Sequence, residues 1–179
     1  TDLKDVNINK LKIINRSGEH LLNMINDILD MSKIESGEMQ IDYASFNLLE
    51  SIQSISELMQ FQAGEKSLQC KLNAKGDLPK YVRTDEGKLK QILLNIIGNA
   101  IKFTDKGSIT LNVSASEIKN RKDYLQLNLY IEDTGCGIQP DMLEEVFKPF
   151  IQNDGIKKVE GGTGLGLTIC KKIVEILGG

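Results

Sequence analysis

The sequence of 179 residues has no tryptophan, three prolines, three cysteines and one histidine, and its net charge of -3 shows no basic excess. Cys70, Cys136 and Cys170 are odd in number and lack metal-site spacing, which fits reduced thiols better than a disulfide framework. The charge argues against nucleic-acid binding and gives no support to attachment at a membrane surface. No apolar run approaches the ~20 residues that span a bilayer, and no signal peptide opens the chain. We expect one soluble, cytoplasmic domain with a helical appendage.

Three short motifs follow one another in a fixed order: NIIGNAIKFT from Asn95, DTGCGI from Asp133 and GGTGLGL from Gly161. One glycine-rich hexapeptide alone is weak evidence, because such sequences arise by chance. The intervals between the motifs leave room for a hairpin and then for a short helix and a flexible loop. Order and spacing together therefore predict that the three motifs form one pocket.

The first motif lies in a run from Asp85 to Phe103 whose apolar residues repeat at helical spacing, which predicts an amphipathic helix. Asn95, Asn99 and Lys102 are spaced i, i+4 and i+7, so they share a stripe beside the apolar face. Mg²⁺ prefers oxygen ligands and commonly binds phosphate oxygens of a substrate. Amide oxygens can complete its coordination shell without adding charge. Lys102 would offset phosphate charge. The alternative is a helix with an ordinary solvated edge.

The second motif follows a strand predicted from the alternation of apolar and polar residues over Tyr124 to Asp133. A carboxylate at the strand end accepts a hydrogen bond from an exocyclic amine such as that of adenine, which contributes roughly 1.5–3 kcal/mol. The following residues would admit the base and provide an apolar wall: Gly135, Gly137 and Ile138. The alternative is an ordinary turn capped by Asp133.

The third motif opens a second amphipathic helix with four glycines, Gly161, Gly162, Gly164 and Gly166. Free backbone N–H groups and the helix dipole favour a phosphate at that end, and glycine permits close approach. The polar stretch from Ile151 to Glu160 predicts a mobile lid in which Lys157 or Lys158 reaches the phosphates. The alternative is a flexible surface loop.

Together these residues resemble the ATP-binding domain of sensor histidine kinases, within the gyrase, chaperone and mismatch-repair ATPase superfamily. QILLNIIGNAIKFT resembles the asparagine box, DTGCGI and GGTGLGL the two glycine boxes, and FKPF the phenylalanine box. The resemblance implies ATP and Mg²⁺ as cofactors, with Asn99 and Asn95 at the metal, Lys102 at the phosphates and Asp133 at the adenine amine. It also implies further nucleotide contacts from Gly162, Thr163, Gly164, Leu165 and Gly166, and a lid anchored by Phe147 and Phe150.

Asn95 separates two branches of this superfamily, because the hydrolytic relatives carry a glutamate there as general base. An amide cannot accept that proton, and losing a positioned base costs about 10²–10⁴-fold in rate. The resemblance therefore favours a histidine kinase in which Asn95 and Lys102 are the catalytic residues. Two rivals stay open: a true ATPase or ATP-driven clamp, and a non-catalytic interaction module that works through its N-terminal helix.

An N-terminal helix is predicted from a heptad seam with the residues Leu11, Ile14, Gly18, Leu21, Ile25, Ile28 and Ser32. Residues 1–37 resemble the second helix of the family's dimerisation domain, which implies a homodimer, a phosphoacceptor helix of the same protein and a response-regulator receiver as partners. The alternative is a packing helix within one domain. The first dimerisation helix is expected to be absent, and His20 lacks the context of a phosphoacceptor.

The remaining pattern predicts an α/β (α+β) domain over residues 41–179, a two-layer sandwich with a mixed sheet covered on one face by about three helices. Strands are expected near Tyr43 to Asn47, Leu68 to Ala74, Tyr81 to Thr84 and Ser108 to Ser116, and a short helix over Asp141 to Phe147. A hairpin connection is expected over Lys119 to Asp123. The family's C-terminal strands are expected to be absent.

Overall fold

The computed structural model describes residues 2–151 and 163–179. Its helices and strands are α1 (Asp2–Glu35), β1 (Ala44–Asn47), α2 (Leu48–Glu65), β2 (Gln69–Lys75), β3 (Tyr81–Thr84), α3 (Glu86–Phe103), β4 (Ser108–Ile118), β5 (Arg121–Asp133) and α4 (Gly166–Ile176). In the three-stranded sheet β2 runs parallel to β4, and β4 runs antiparallel to β5; β1 and β3 form a separate antiparallel pair. The predicted mixed α+β class is confirmed.

Two side-chain caps define where α2 and α3 begin. Asn47 accepts a hydrogen bond from the Glu50 backbone N–H at 3.4 Å and donates its amide to the Glu50 carboxylate at 2.7 Å. Asp85 accepts from the Lys88 N–H at 2.9 Å, and its second oxygen accepts from the Asp42 N–H at 3.0 Å. Such caps satisfy N–H groups that have no partner within the helix. Asp85 therefore fixes the start of α3 and holds the segment that leads into the domain.

The main core lies between α2 and α3 and one face of the three-stranded sheet. Its fully buried side chains include Leu48, Ile52, Met59, Leu93, Ile97, Ile109 and Val113. On β5, Leu127, Leu129 and Ile131 pack against this core, whereas Leu125 is exposed. The alternation predicted for this strand is thus confirmed over the half that lies next to Asp133, and the core holds the strand end in place.

Replacing Leu93 with alanine is expected to lower the free energy of unfolding by about 2–5 kcal/mol, because Leu93 is 0% exposed and its removal leaves a cavity. The neighbouring Leu94 is 39% exposed and provides a matched control. Urea denaturation should show a much smaller loss for Leu94→Ala. Equal losses for the two variants would contradict this description of the core.

A second core joins α4 to α3 and to the end of α1. Its buried residues are Ile92, Leu165, Ile169, Cys170 and Ile173, with Met31, Ile34, Met39, Ile96 and Leu177 packed against them. Two of the three expected helices, α2 and α3, therefore cover the sheet, while α4 packs against α3 and α1. Many other apolar side chains of α1 are exposed, among them Leu11, Ile14, Leu21, Leu22, Ile25, Ile28 and Leu29. The division into domains at 37 and 41 stays a prediction.

Two local predictions are wrong. Pro140–Met142 and Glu145–Phe147 form short 3₁₀ turns instead of one α-helix. Neither turn contains a buried residue, so no apolar face stabilises a longer helix there. The hairpin connection is also shorter than expected, since β5 already begins at Arg121 and the turn is completed by Asn120 with a φ of 67°. Asparagine tolerates this left-handed conformation.

Candidate functional site

The first and third motifs meet where α3 packs against the start of α4. A Cβ atom placed on Gly166 would lie 2.5 Å from Asn95 Oδ1 and 2.8 Å from Asn95 Nδ2. The side-chain amide of Asn95 therefore lies directly against the backbone at the beginning of α4. Because any larger residue at position 166 would displace that amide, Gly166 is required by close packing.

The thiol of Cys170 lies one turn further along α4 and also contacts Asn95. The pKa of the Cys170 thiol is raised to about 11, mainly by burial; a hydrogen bond with Asn95 lowers it, and the negative charge of Asp27 contributes to the rise. The thiol also lies 3.9 Å from the Ile92 carbonyl oxygen. Asn95 is thus held between two helices, and Cys170 stays protonated at neutral pH. No sequence pattern points to this role of Cys170, because its contacts connect segments that lie far apart in the chain.

The other polar residues of the α3 stripe lie at its C-terminal end. Asn99 is half-buried, one turn after Asn95. Lys102 is also half-buried, with its Nζ 5.3 Å from the centre of the Phe103 ring, and desolvation lowers its pKa below the ordinary lysine value. A partly desolvated ammonium interacts more strongly with an anion than one in bulk water.

The second motif begins where β5 ends, and a hydrogen bond within the motif orients its one carboxylate, that of Asp133. Asp133 is exposed, and its Oδ1 accepts a hydrogen bond from the Gly135 N–H at 2.8 Å. A carboxylate has further acceptor positions, so this bond positions the group and leaves it able to bind a ligand amine. β5 places Asp133 opposite Ile109, the second residue of the neighbouring strand β4.

Gly135 brings the second motif against the end of α3. A Cβ atom on Gly135 would lie 2.7 Å from the Phe103 carbonyl oxygen, 2.8 Å from Asp133 Oδ1 and 3.0 Å from Thr104 Oγ1. Thr104 is 0% exposed, and its hydroxyl has no hydrogen-bond partner among the residues that the structure describes. The motif analysis missed Thr104, although it is the last residue of NIIGNAIKFT.

The remaining residues of the second motif are more open. Gly137 has a φ of 71°, and a Cβ atom there would meet nothing within 4 Å. Glycine is therefore favoured at this position by its backbone conformation and not by crowding. Ile138 is 48% exposed, so its side chain presents an apolar surface beside the loop.

Two hydrogen bonds join the FKPF segment to the third motif and to α4. The Phe150 N–H donates to the Gly164 carbonyl at 2.9 Å, and the Thr168 hydroxyl donates to the Phe147 carbonyl at 2.9 Å. Gly164 has a φ of 70°, and a Cβ atom there would lie 2.8 Å from the Phe150 carbonyl carbon. Both phenylalanines therefore lie against the start of α4. Of the lid predicted over Ile151 to Glu160, only Ile151 is described; the rest of it, with Lys157 and Lys158, and the predicted contacts of Gly161 and Gly162 lie outside the described residues.

Thr163 and Leu165 organise the start of α4 in different ways. The Thr163 hydroxyl accepts a hydrogen bond from the Leu165 N–H at 3.1 Å and donates one to Asp27 Oδ2 on α1 at 2.7 Å. Leu165 is 1% exposed, its side chain belongs to the second core, and its N–H already donates to Thr163. Asp27 is a further residue that motif analysis did not find.

Within the part of the chain that the structure describes, no group of three or more His, Cys, Asp or Glu side chains is arranged to hold a metal ion. A divalent ion at this site would therefore depend on neutral amide oxygens and on the phosphates of a bound nucleotide, which is the donor set Mg²⁺ accepts. No helix within the described residues is long and apolar enough to cross a membrane.

Comparison with known proteins shows the family to which the chain belongs. Residues 84–179 match the family model described as "Histidine kinase-, DNA gyrase B-, and HSP90-like ATPase". The chain belongs to this family of ATP-binding domains. The match begins at the end of β3 and includes all three motifs.

Similar proteins extend the likeness to α1. The ATP-binding chain is 38% identical over 180 residues to the signal transduction histidine-protein kinase BarA of Escherichia coli strain K12, covering all of this chain and 19% of BarA. It is 37% identical over 174 residues to the autoinducer 2 sensor kinase/phosphatase LuxQ of Vibrio vulnificus strain YJ016, covering 97% of the chain and 20% of LuxQ. The chain thus spans about a fifth of these relatives.

A solved structure shows the same arrangement. The full-length ShkA structure in complex with AMPPNP matches with a TM-score of 0.75 and 32% identity, covering 91% of this chain and 32% of that one. Because the match covers more than the residues of the ATPase family model, it includes part of the N-terminal segment. The likeness agrees with the fold assigned to this ATP-binding domain.

Proposed function

We propose that this domain is the catalytic domain of a sensor histidine kinase and transfers the γ-phosphoryl group of Mg-ATP to a histidine on a separate helix. The bond between the γ-phosphorus and the β,γ-bridging oxygen breaks, a phosphorus–nitrogen bond forms at the imidazole, and ADP leaves. The observation that carries the proposal is the amide of Asn95, packed against Gly166 and Cys170, at the position where a hydrolytic enzyme needs a base.

The described residues fit Mg-ATP. Asn99 and Asn95 would supply amide oxygens to Mg²⁺, which would neutralise phosphate charge. Lys102 would interact with the phosphates, and the ordered carboxylate of Asp133 would accept the adenine amine. The chain's own contribution to catalysis is then positioning and charge stabilisation, with no proton taken from water.

The proposed acceptor lies outside this chain. Its one histidine, His20, is half-buried on α1 and lacks the sequence context of a phosphoacceptor. The exposed apolar seam of α1 supports pairing with a first dimerisation helix and with a second subunit. The phosphoryl group would then pass to the receiver domain of a response regulator, the partner that the family resemblance implies.

The proposal is tested by incubating the chain with γ-labelled ATP and the parent protein's dimerisation helices as acceptor. We expect acid-labile, base-stable label on the acceptor histidine and slow release of inorganic phosphate, with both reactions lost in Asn99→Ala. Rapid phosphate release without acceptor label would contradict the kinase and support the ATPase. ATP binding without either reaction would support the non-catalytic interaction module.

A further inference from the structure

One hydrogen bond connects the N-terminal helix directly to the third motif. Asp27 Oδ2 of α1 accepts the Thr163 hydroxyl at 2.7 Å, across 136 positions of sequence. The same hydroxyl accepts the Leu165 N–H, and the Leu165 carbonyl accepts the first intrahelical bond of α4, from Ile169 at 2.9 Å. Asp27 is thus linked through Thr163 to the N-terminal turn of α4.

The C-terminal part of α1 packs against α3 and α4 through both apolar and polar contacts. Asp27 and Asp30 are half-buried, and Met31 and Ile34 pack into the second core with α4. Asp30 accepts a hydrogen bond from Gln91 on α3 at 2.6 Å and lies 3.6 Å from the Lys88 ammonium. Asp30 therefore has a cationic neighbour on α3, whereas Asp27 accepts its hydrogen bond from a neutral hydroxyl.

The charge of Asp27 affects α4 itself. It raises the pKa of the Cys170 thiol, one turn into that helix. A helix N-terminus favours a negative charge, and here a carboxylate already lies beside the end at which the phosphates of a nucleotide are expected. Two anions near one helix end repel each other, and half-buried charges are screened less than those in bulk solvent.

We propose that Asp27 is a positioning residue that acts on the nucleotide through Thr163: its carboxylate orders the start of α4 and opposes phosphate binding there. Movement of α1 that withdraws Asp27 would therefore raise the affinity for nucleotide and loosen the Thr163 segment. This inference rests on the proposed binding of ATP at the same site. Through Asp27, the contact between α1 and the domain would lower the affinity of that site for nucleotide.

Two substitutions separate the charge from the hydrogen bond. Asp27→Asn keeps an acceptor for Thr163 and removes the charge, so we expect ATP to bind about 3–10-fold more tightly, with a smaller gain for ADP and none for adenosine, which has no phosphate. The gain should shrink at high salt. Asp27→Ala also removes the acceptor, so hydrogen exchange at the Leu165 N–H should accelerate in the protein without nucleotide.

The control is Glu19→Gln, which removes the same unit charge from an exposed position of α1, where Glu19 contacts Asn15. It should change neither ATP affinity nor exchange at Leu165.

Equal ATP affinity in the parent chain and Asp27→Asn would overturn the electrostatic role while leaving ATP binding intact. Unchanged exchange in Asp27→Ala would overturn the positioning role without reference to nucleotide. Failure of every variant to bind ATP would overturn the proposed function as well.

Discussion

Asp133→Ala is expected to weaken ATP binding about 10–100-fold, the loss that corresponds to a charge-assisted hydrogen bond of ~1.5–3 kcal/mol. In the folded chain this carboxylate is exposed at the end of β5 and is oriented by the Gly135 N–H. It is therefore arranged before the ligand arrives, and its removal should cost little stability. Isothermal titration calorimetry of the two proteins with Mg-ATP measures the difference.

The matched control is Asp123→Ala, which removes a carboxylate from an exposed position near the other end of β5. Its ATP affinity should equal that of the parent chain. GTP offers a second check, because guanine lacks the exocyclic amine at the position used by adenine, so the loss on changing Asp133 should be confined to ATP. Equal weakening by both substitutions would show that Asp133 has no specific role in binding the base.

Gly166→Ala is expected to reduce the rate of phosphoryl transfer to a supplied acceptor by about 100-fold, because a displacement near 1 Å at a catalytic group has effects of this size. The new Cβ atom would lie 2.5 Å from Asn95 Oδ1, so either the amide or the start of α4 must move. The measurement is the single-turnover rate of acceptor labelling, with circular dichroism to establish that the variant is folded.

Gly64→Ala on α2 is the control, because a Cβ atom there meets nothing within 4 Å. That variant should label the acceptor at the parent rate. The double variant Asn95→Ala, Gly166→Ala removes the clash, so its melting temperature should exceed the value expected by adding the two single effects. A Gly166→Ala variant with the parent rate would contradict the close packing of Asn95 on α4.

The periodicity of apolar residues predicted the helices and strands that bury one face. Glu86–Phe103 was predicted to within one residue, and Tyr81–Thr84 was predicted without error; the structure adds that Asp85 caps the helix. These elements follow from local sequence, because a repeat of 3.6 or 2 positions and a capping side chain are properties of neighbouring residues. The order of the motifs also predicts which segments form the site, and this stays a prediction.

Contacts between distant segments were not predicted. The bond between Asp27 and Thr163, the packing of Cys170 on Asn95 and the buried hydroxyl of Thr104 depend on how α1, α3 and α4 are placed relative to one another. The 3₁₀ turn at Glu145–Phe147 was missed for a related reason, since the absence of a buried face became apparent only in the folded chain. The spacing of apolar residues along the chain does not reveal contacts between segments that are far apart in sequence.

The most direct test of the account is the change in backbone amide chemical shifts when Mg-ATP is added to isotopically labelled chain. We expect saturable shifts concentrated in the three segments 95–102, 133–138 and 163–166, and Asp133→Ala should need a Mg-ATP concentration about 10–100-fold higher to reach them. An open depression of about 570 Å³ between α2 and β2, lined by Gln53, Glu57 and Lys71 among others, provides an internal comparison. Shifts confined to that depression, or no shifts at all, would contradict a single Mg-ATP pocket built from the three motifs.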